Sequence, residues 1–375
     1  MPLSTAKKNI CAAAGATESF TLVEILVSIG ILVILVSITI IGLGAYKGRV
    51  SFDMDASQVV AVLRNAQSRA ISQDRGQGWG VQFVSGADGT SHYVLFWGTA
   101  YATSSVVAAG TLGYSSSFSD PAPGFSKTIV FAPVTGAPVG PDVVVIKNST
   151  TDTVAIISVS ALGLVGQTTE SGLAGYWPLD EGAGTSAYDA SGNGSNGVLD
   201  GFSFSGSSDW VTGKVGSALS FSGPDYVSSS ESVFPRGPLD FDDTSMTIGF
   251  WMQTQTSGVR QDVISRPGSF AAGILSGSND IFGSTNPSAQ FDSGYAVSPS
   301  SWYYVTYVSS PTSQLMYVNG ALVASTTYPG SVGVPSSNAV ILGGTTYPFT
   351  GTIDDVRLYD RVLSPDEVQN LFNSY

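Results

Sequence analysis

Leu315 to Val323 reads LMYVNGALV, two apolar runs joined by Asn319-Gly320. Asn-Gly between such runs is the strongest short-range hairpin signal, because a two-residue type I′ turn needs φ > 0 at both central positions. The stretch therefore predicts an antiparallel hairpin. Before it lie MTIGFWMQT (Met246 to Thr254) and SWYYVTYV (Ser301 to Val308), short runs that read as strands. After it, FTGTIDDVRLYDRVLSPDEVQNLF (Phe349 to Phe372) carries one more strand pattern. That segment then gives Ser364-Pro365-Asp366-Glu367, a capping box with Pro in the first turn. It predicts a short helix over Val368, Leu371 and Phe372.

Further upstream, GLAGYWPLDEGAGTSAYDASGNGSNGVL (Gly172 to Leu199) and GKVGSALSFSG (Gly213 to Gly223) continue the pattern of short strands and Gly-rich turns. In this order, the six segments resemble the laminin-G-like (concanavalin A-like) jelly-roll family, nearly end to end over residues 172–375. The resemblance implies an all-β jelly-roll sandwich whose ligand is a glycan or a surface protein.

The other end of the chain is of a different kind. Phe20 to Tyr46 reads FTLVEILVSIGILVILVSITIIGLGAY, uncharged from Ile25 to Leu43. Such a run is close to the ~20 residues that cross a bilayer as a helix. Glu24 stands where it begins, and a carboxylate carried toward the membrane centre costs about 2.5–3.5 kcal/mol, so a partner is implied. In sequence the nearest lysines are Lys8 and Lys47, beyond one helical turn. Cleavage before Phe20 would free an α-amine four residues from Glu24, or beside the Glu24 of a neighbouring subunit.

The motif FTLVE, the basic leader with Lys7 and Lys8, and the apolar run resemble the processing site of type IV pilins and secretion pseudopilins. In that family a prepilin peptidase cuts before the Phe and methylates its amine, and the glutamate pairs with a neighbour's amine during assembly. The resemblance implies cleavage between Ser19 and Phe20, N-methylation of Phe20, and an assembly role for Glu24. Ser19 stands where the family usually has Gly. A secretory signal peptide fits less well, since its apolar core is only 7–15 residues long.

Between the two ends, Val59, Val62, Leu63, Ala66 and Ala70 recur at helical spacing, and Asp74, Arg75, Gly76 and Gly78 end the helix. Trp79, Val81 and Phe83 alternate as in a strand. His92 to Trp97, Thr128 to Val134, Asp142 to Lys147 and Thr153 to Ser160 are further strand candidates, and residues 98–126 read as loop. The stretch LRNAQSRAIS…GWGVQF…HYVLFWG resembles small pilin-like proteins. The expected fold is an α+β pilin-like module, a long N-terminal helix packed on an antiparallel sheet, followed by an all-β jelly-roll sandwich. Its expected divisions are a leader (1–19), a transmembrane or filament-core helix (20–46), a pilin-like domain (47–166), a linker (167–171) and the jelly roll (172–375).

Charged residues make up 11% of the chain and the net charge is −13. From Gly172 onward, 18 acidic residues face 6 basic ones. That half repels phosphate backbones, so no nucleic-acid partner is expected. The sole cysteine, Cys11, lies in the leader, which leaves the mature chain no disulfide and no thiolate zinc site.

Catalysis is not expected. A retaining glycosidase needs two carboxyls ~5–5.5 Å apart, and the distal glutamates Glu181, Glu231 and Glu367 fall in two loops and a helix start. A histidine triad would have only His92, which begins a strand. Acidic loops favour hard cations such as Ca2+. Asp180, Asp189, Asn193 and Asp200 lie in or near the loop YDASGNGSNG, and Asp354 and Asp355 adjoin near the other end. The jelly-roll resemblance implies a calcium site at Asp189, Asn193 and Asp354. Equally, Asp189 and Asn193 serve as turn formers and Asp354 holds backbone amides. Among the aromatics, Trp177, Trp251 and Trp302 read as core, and Trp210, Tyr295 and Tyr328 as exposed ligand contacts.

The function expected is that of a minor pilin or pseudopilin displaying a binding domain, its partners the prepilin peptidase, other pilin subunits, the membrane through one N-terminal span, and a glycan or surface-protein ligand. It would enter the bacterial inner membrane as a precursor and then reach a cell-surface filament. The alternative is an unprocessed single-span surface protein with a carbohydrate- or protein-binding domain. A DNA-uptake pilin would need more basic residues than Lys127 and Lys147 supply, and a glycan hydrolase ranks last.

Overall fold

The structure is a computed structural model. It describes residues 22–138, 142–151, 153–203, 209–229, 245–256, 258–285, 290–327 and 339–375, without the side chains of 33–46. The leader, with Ser19 and Phe20, lies outside the described residues, as do Glu231 and Tyr328. The chain divides into two units, 1–47 and 48–375.

The first helix, α1, is Leu22–Ile71. In the first unit its side chains Leu22, Val23, Ile25, Leu26, Val27, Ile29, Ile31 and Leu32 are exposed. Among the described residues no helix is long and apolar enough to cross a membrane. The expected span falls largely on residues 33–46, whose side chains lie outside the description.

In the second unit α1 becomes amphipathic. Phe52, Ala56, Val59, Leu63, Ala66 and Ala70 are buried together, as the helical spacing predicts. They pack on two four-stranded antiparallel sheets. The first runs in the order Val106–Thr111, Ser91–Trp97, Trp79–Ser85, Ser126–Phe131. The second runs Ser116–Asp120, Asp142–Asn148, Thr153–Val159, Val165–Ser171. Two of these strands, Val106–Thr111 and Ser116–Asp120, lie within the stretch expected to be loop. Val106–Thr111 is almost wholly exposed, so no buried face imposes alternation on its Val, Ala and Gly.

The second sheet is covered on both sides. Val144, Ile146, Ala155, Ile157 and Val159 face α1, while Val143, Val145, Val154 and Ile156 face the distal half. This explains the unbroken apolar runs VVVI and VAII, since a strand buried on both faces loses its polar alternation.

The expected linker is also a strand. Val165–Ser171 closes the second sheet and pairs with Thr153–Val159 along its whole length. One residue, Gly172, then turns the chain into Leu173–Trp177. Its φ is +66°, and a Cβ there would lie 2.4 Å from Asp360 Oδ1, so the corner requires glycine.

The distal half is a sandwich of two antiparallel sheets. One has the order Trp210–Thr212, Ser217–Ser222, Thr350–Tyr359, Met246–Thr254, Tyr303–Ser309, Ser313–Val318, Ala321–Thr327, with Leu173–Trp177 also paired to Thr350–Tyr359. The other has the order Ser186–Ala187, Gly197–Asp200, Tyr226–Ser229, Val340–Leu342, Gln261–Arg266, Phe270–Ile274, Asp280–Ser284, Gln290–Ala296. Between them lies a core that includes Phe221, Phe250, Tyr307 and Ile353 from the first sheet and Ile264, Phe270, Ile281 and Leu342 from the second.

The predicted hairpin forms, with φ of 50° at Asn319 and 78° at Gly320. The predicted capping box also forms. Glu367 N–H donates to Ser364 Oγ, Ser364 N–H donates to Glu367 Oε2, and α2 runs Pro365–Asn373 with Val368 and Leu371 buried. A third core lies between the sandwich and the second small sheet. In it Val143, Val145, Val154 and Ile156 meet Tyr176, Trp251, Tyr304, Tyr359, Leu363, Val368 and Leu371.

Candidate functional site

The loop YDASGNGSNG is organised by Asp189. Its Oδ1 accepts the N–H groups of Tyr176 (3.0 Å) and Ser191 (2.9 Å), and its Oδ2 that of Ser195 (2.9 Å). Four residues on, Asn193 donates through Nδ2 to the carbonyls of Leu173 and Ala174. Its Oδ1 accepts from Lys147 Nζ at 2.6 Å, an ammonium supplied by the small sheet. Asp200 lies apart, accepting the exposed Tyr226 hydroxyl.

In the strand Thr350–Tyr359, Asp354 is fully buried. Its Oδ2 accepts the N–H groups of Lys214 (2.7 Å) and Val215 (3.0 Å), and its Oδ1 is buried with no hydrogen-bond partner among the described residues. Burial, and then the neighbouring Asp355, hold its carboxyl well above the usual range. The strand slips register beside Trp251, and Asp355, at φ +51°, accepts the Tyr176 hydroxyl at 2.7 Å. Arg357 lies 3.4 Å from Asp355, with its guanidinium 4.4 Å from the Tyr176 ring centroid. Burial raises the Asp355 carboxyl, and the Arg357 charge opposes that shift.

The two acidic clusters therefore meet at Tyr176, whose N–H binds Asp189 and whose hydroxyl binds Asp355. Asp189, Asn193 and Asp354 direct their oxygens at amides, an ammonium or a sealed interior. Among the described residues no three His, Cys, Asp or Glu side chains form a group that could hold a metal ion. That donor arrangement does not fit Ca2+, whose six to eight oxygen ligands must converge.

Glu24 lies in α1, where its carbonyl accepts from Ser28 Oγ. Trp210, expected to be exposed, is buried, and its indole N–H donates to Gly184 O at 3.1 Å. It stands in a three-residue strand too short to show a pattern. Tyr295 is half-buried on the sandwich core beside Tyr303. Trp177 and Trp251 are core, and Trp302 is half-buried against Trp251. His92 lies in a strand, as expected.

Two clefts were not legible in the sequence. One, of about 350 Å³, lies where the small sheets meet the sandwich and is lined by Asp120, Phe125, Lys127, Asp180, Glu181 and Tyr188. Lys127 donates to Asp120 (2.6 Å) and pairs with Asp142 (3.1 Å). Glu181 Oε1 accepts the Tyr188 N–H, its Oε2 is sealed from solvent, and burial pushes its carboxyl up to about 7. The other cleft, about 270 Å³, opens on the sandwich itself. Arg260 is central there, stacked on Tyr347 at 4.1 Å and on Phe282 at 4.8 Å, with its Nε donating to Asp262 Oδ1. Burial holds the Asp262 carboxyl above its usual range, the Arg260 charge pulling the other way. Tyr347 is 40% exposed, and Gln290 completes the rim. A stacked guanidinium, a carboxylate and an open aromatic face are the groups that fix a polar ligand in a concave site.

Residues 221–369 match the laminin-G family model described as the concanavalin A-like lectin/glucanases superfamily, and they form a jelly-roll domain of that type. No curated protein matches the chain. Among solved structures, it is similar to domain 4 of AbnA, an extracellular arabinanase from Geobacillus stearothermophilus, in complex with arabinotriose. The identity is 18% and the TM-score 0.42, over 53% of this chain and 97% of that one. It is also similar to the binding domain of Paraclostridial Mosquitocidal Protein 1 (16%, TM-score 0.44, 54% and 52%). A third is the binding domain of botulinum neurotoxin DC in complex with SialylT (15%, TM-score 0.43, 54% and 51%). The chain spans about half the length of these two toxin domains.

Proposed function

We propose that this chain is a minor pilin or pseudopilin whose jelly roll binds a glycan or a surface protein. The observation that carries the binding half is the Arg260–Asp262–Tyr347 cleft, which lies wholly within the family-matched residues. The display half rests on the sequence FTLVE and Glu24. In this reading a prepilin peptidase cleaves between Ser19 and Phe20, the apolar helix holds the precursor in the bacterial inner membrane, and other pilin subunits then take it into a filament. The protein acts by binding, not by catalysis.

Ser19 favours a second reading, an unprocessed single-span protein that presents the same domain at the envelope. Mass spectrometry of the N-terminal peptide from native cells separates the two. A chain beginning at N-methylated Phe20 supports the filament reading, and one retaining residues 1–19 overturns it. Binding of the full chain to a glycan array, with and without Tyr347→Ala, tests the cleft independently of processing.

A further inference from the structure

We infer that the groove between the strand Val165–Ser171 and α2 is a docking site for an extended segment of a partner polypeptide, which joins the small sheet as a fifth strand. This site is separate from the cleft on the sandwich and does not depend on it.

Val165–Ser171 is the last strand of its sheet, with Thr153–Val159 on one side only. Ser160 N–H donates to Leu164 O at 3.0 Å, which sets the parity of the ladder. Residues 164, 166, 168 and 170 turn their backbone groups inward, and Val165, Gln167, Thr169 and Ser171 turn theirs outward. Two arginines bear this out from outside the ladder. Arg64 donates to Val165 O at 3.1 Å, and Arg361 donates to Ser171 O at 2.9 Å.

Between those two stoppers, the N–H and C=O groups of Gln167 and Thr169 make no hydrogen bond among the described residues. They open into a groove of about 630 Å³ whose far wall includes Leu371, Asn373 and Tyr375. Natural sheet edges are usually blunted by Lys, Pro, a bulge or a cover. This edge, VGQTTES, carries no Lys or Pro, its one charge, Glu170, is engaged by the Tyr359 hydroxyl, and its pairing runs without a register shift.

The groove's chemistry identifies the occupant. Two outward donors and two outward acceptors at alternate residues match an extended backbone, which a helix cannot present. The charges on its walls are already paired, Arg361 with Glu367 at 2.7 Å and Glu170 with the Tyr359 hydroxyl at 2.6 Å. A charged ligand therefore gains little there. Leu164, on the groove, is 71% exposed, and nearby Leu162 is 81% exposed, so an apolar side chain of the partner has a seat. The partner is thus an extended peptide segment with apolar residues at alternate positions.

The test selects random heptapeptides against the immobilised full chain and remakes the enriched ones with a fluorescent label. Alternating apolar sequences are expected, with hydrogen exchange at Gln167 and Thr169 slowed on binding. Thr169→Pro removes an outward N–H and no inward one, and should weaken binding at least tenfold. Peptides N-methylated at the pairing amides should lose binding to the unaltered protein to the same degree, which decides the matter should the proline variant fail to fold. No enrichment, or enriched peptides indifferent to N-methylation, would overturn the assignment.

Discussion

The Tyr359 hydroxyl donates to Glu170 Oε2 at 2.6 Å, joining the long central strand of the sandwich to the edge strand of the small sheet. Glu170 also lies 4.0 Å from the Arg357 guanidinium, itself almost fully buried, so the contact completes a polar network that is largely buried. Tyr359→Phe removes a hydrogen bond to a charged group, worth about 1.5–3 kcal/mol. Chemical denaturation should show a loss of that size, and an unchanged midpoint would mean that the bond contributes nothing.

Ile156 belongs to the core shared by the small sheet and the sandwich. Ile156→Ala should cost roughly 2–5 kcal/mol. Because the core is common, calorimetry should show one transition for residues 48–375, displaced as a whole. Two transitions, only one of them displaced, would show that the halves unfold independently.

Burial pushes the Glu181 carboxyl up to about 7 from its ordinary 4.5. The folded state thus holds this proton more tightly than the unfolded chain. The stability it contributes is present below pH 4.5 and is lost as pH rises through about 7. The groups facing it, Asp120, Lys127 and Asp180, remain in Glu181→Gln. That variant should match the native chain in melting temperature at pH 4.5 and exceed it by a few degrees at pH 8. Parallel melting curves across that range would refute the assignment.

Asp189 spends both carboxylate oxygens on backbone amides, and Asp354 spends one while the other is sealed in the interior, so calcium should add little. Melting temperatures in 5 mM CaCl2 and in EDTA, concentrations chosen to saturate or strip roughly micromolar sites, should agree to about 1 °C. A rise of several degrees with calcium would show a site that the described residues do not form alone.

Tyr347→Ala opens one face of the Arg260 stack without touching the sandwich core. It should weaken ligand binding about tenfold or more while leaving the melting temperature nearly unchanged. Equal glycan-array signals for the two proteins would move the binding site elsewhere on the domain.

The Asn319-Gly320 turn and the Ser364–Glu367 capping box were legible because local chemistry alone determines them. The buried face of α1 was legible because one side of the helix is dry. Val106–Thr111 was hidden because it lies open to water, and Val165–Ser171 because a polar edge strand has the composition of a linker. The clefts lay beyond reach for another reason. Arg260 and Tyr347 are far apart in sequence, and only the strand order makes them neighbours. The carboxylates were ambiguous in sequence, since an Asp that binds amides and one that binds calcium occupy similar Gly-rich loops.

Gly172 has a mechanical consequence. With one residue between the last strand of the small sheet and the first strand of the sandwich, there is no slack to extend. A tether of flexible residues absorbs a pull as entropy. Here tension applied to a captured ligand would pass at once, as shear, into the core that holds Ile156 and Tyr359. The binding domain would then behave as a stiff lever, and single-molecule pulling should record a rupture without the soft stretch of an uncoiling linker before it.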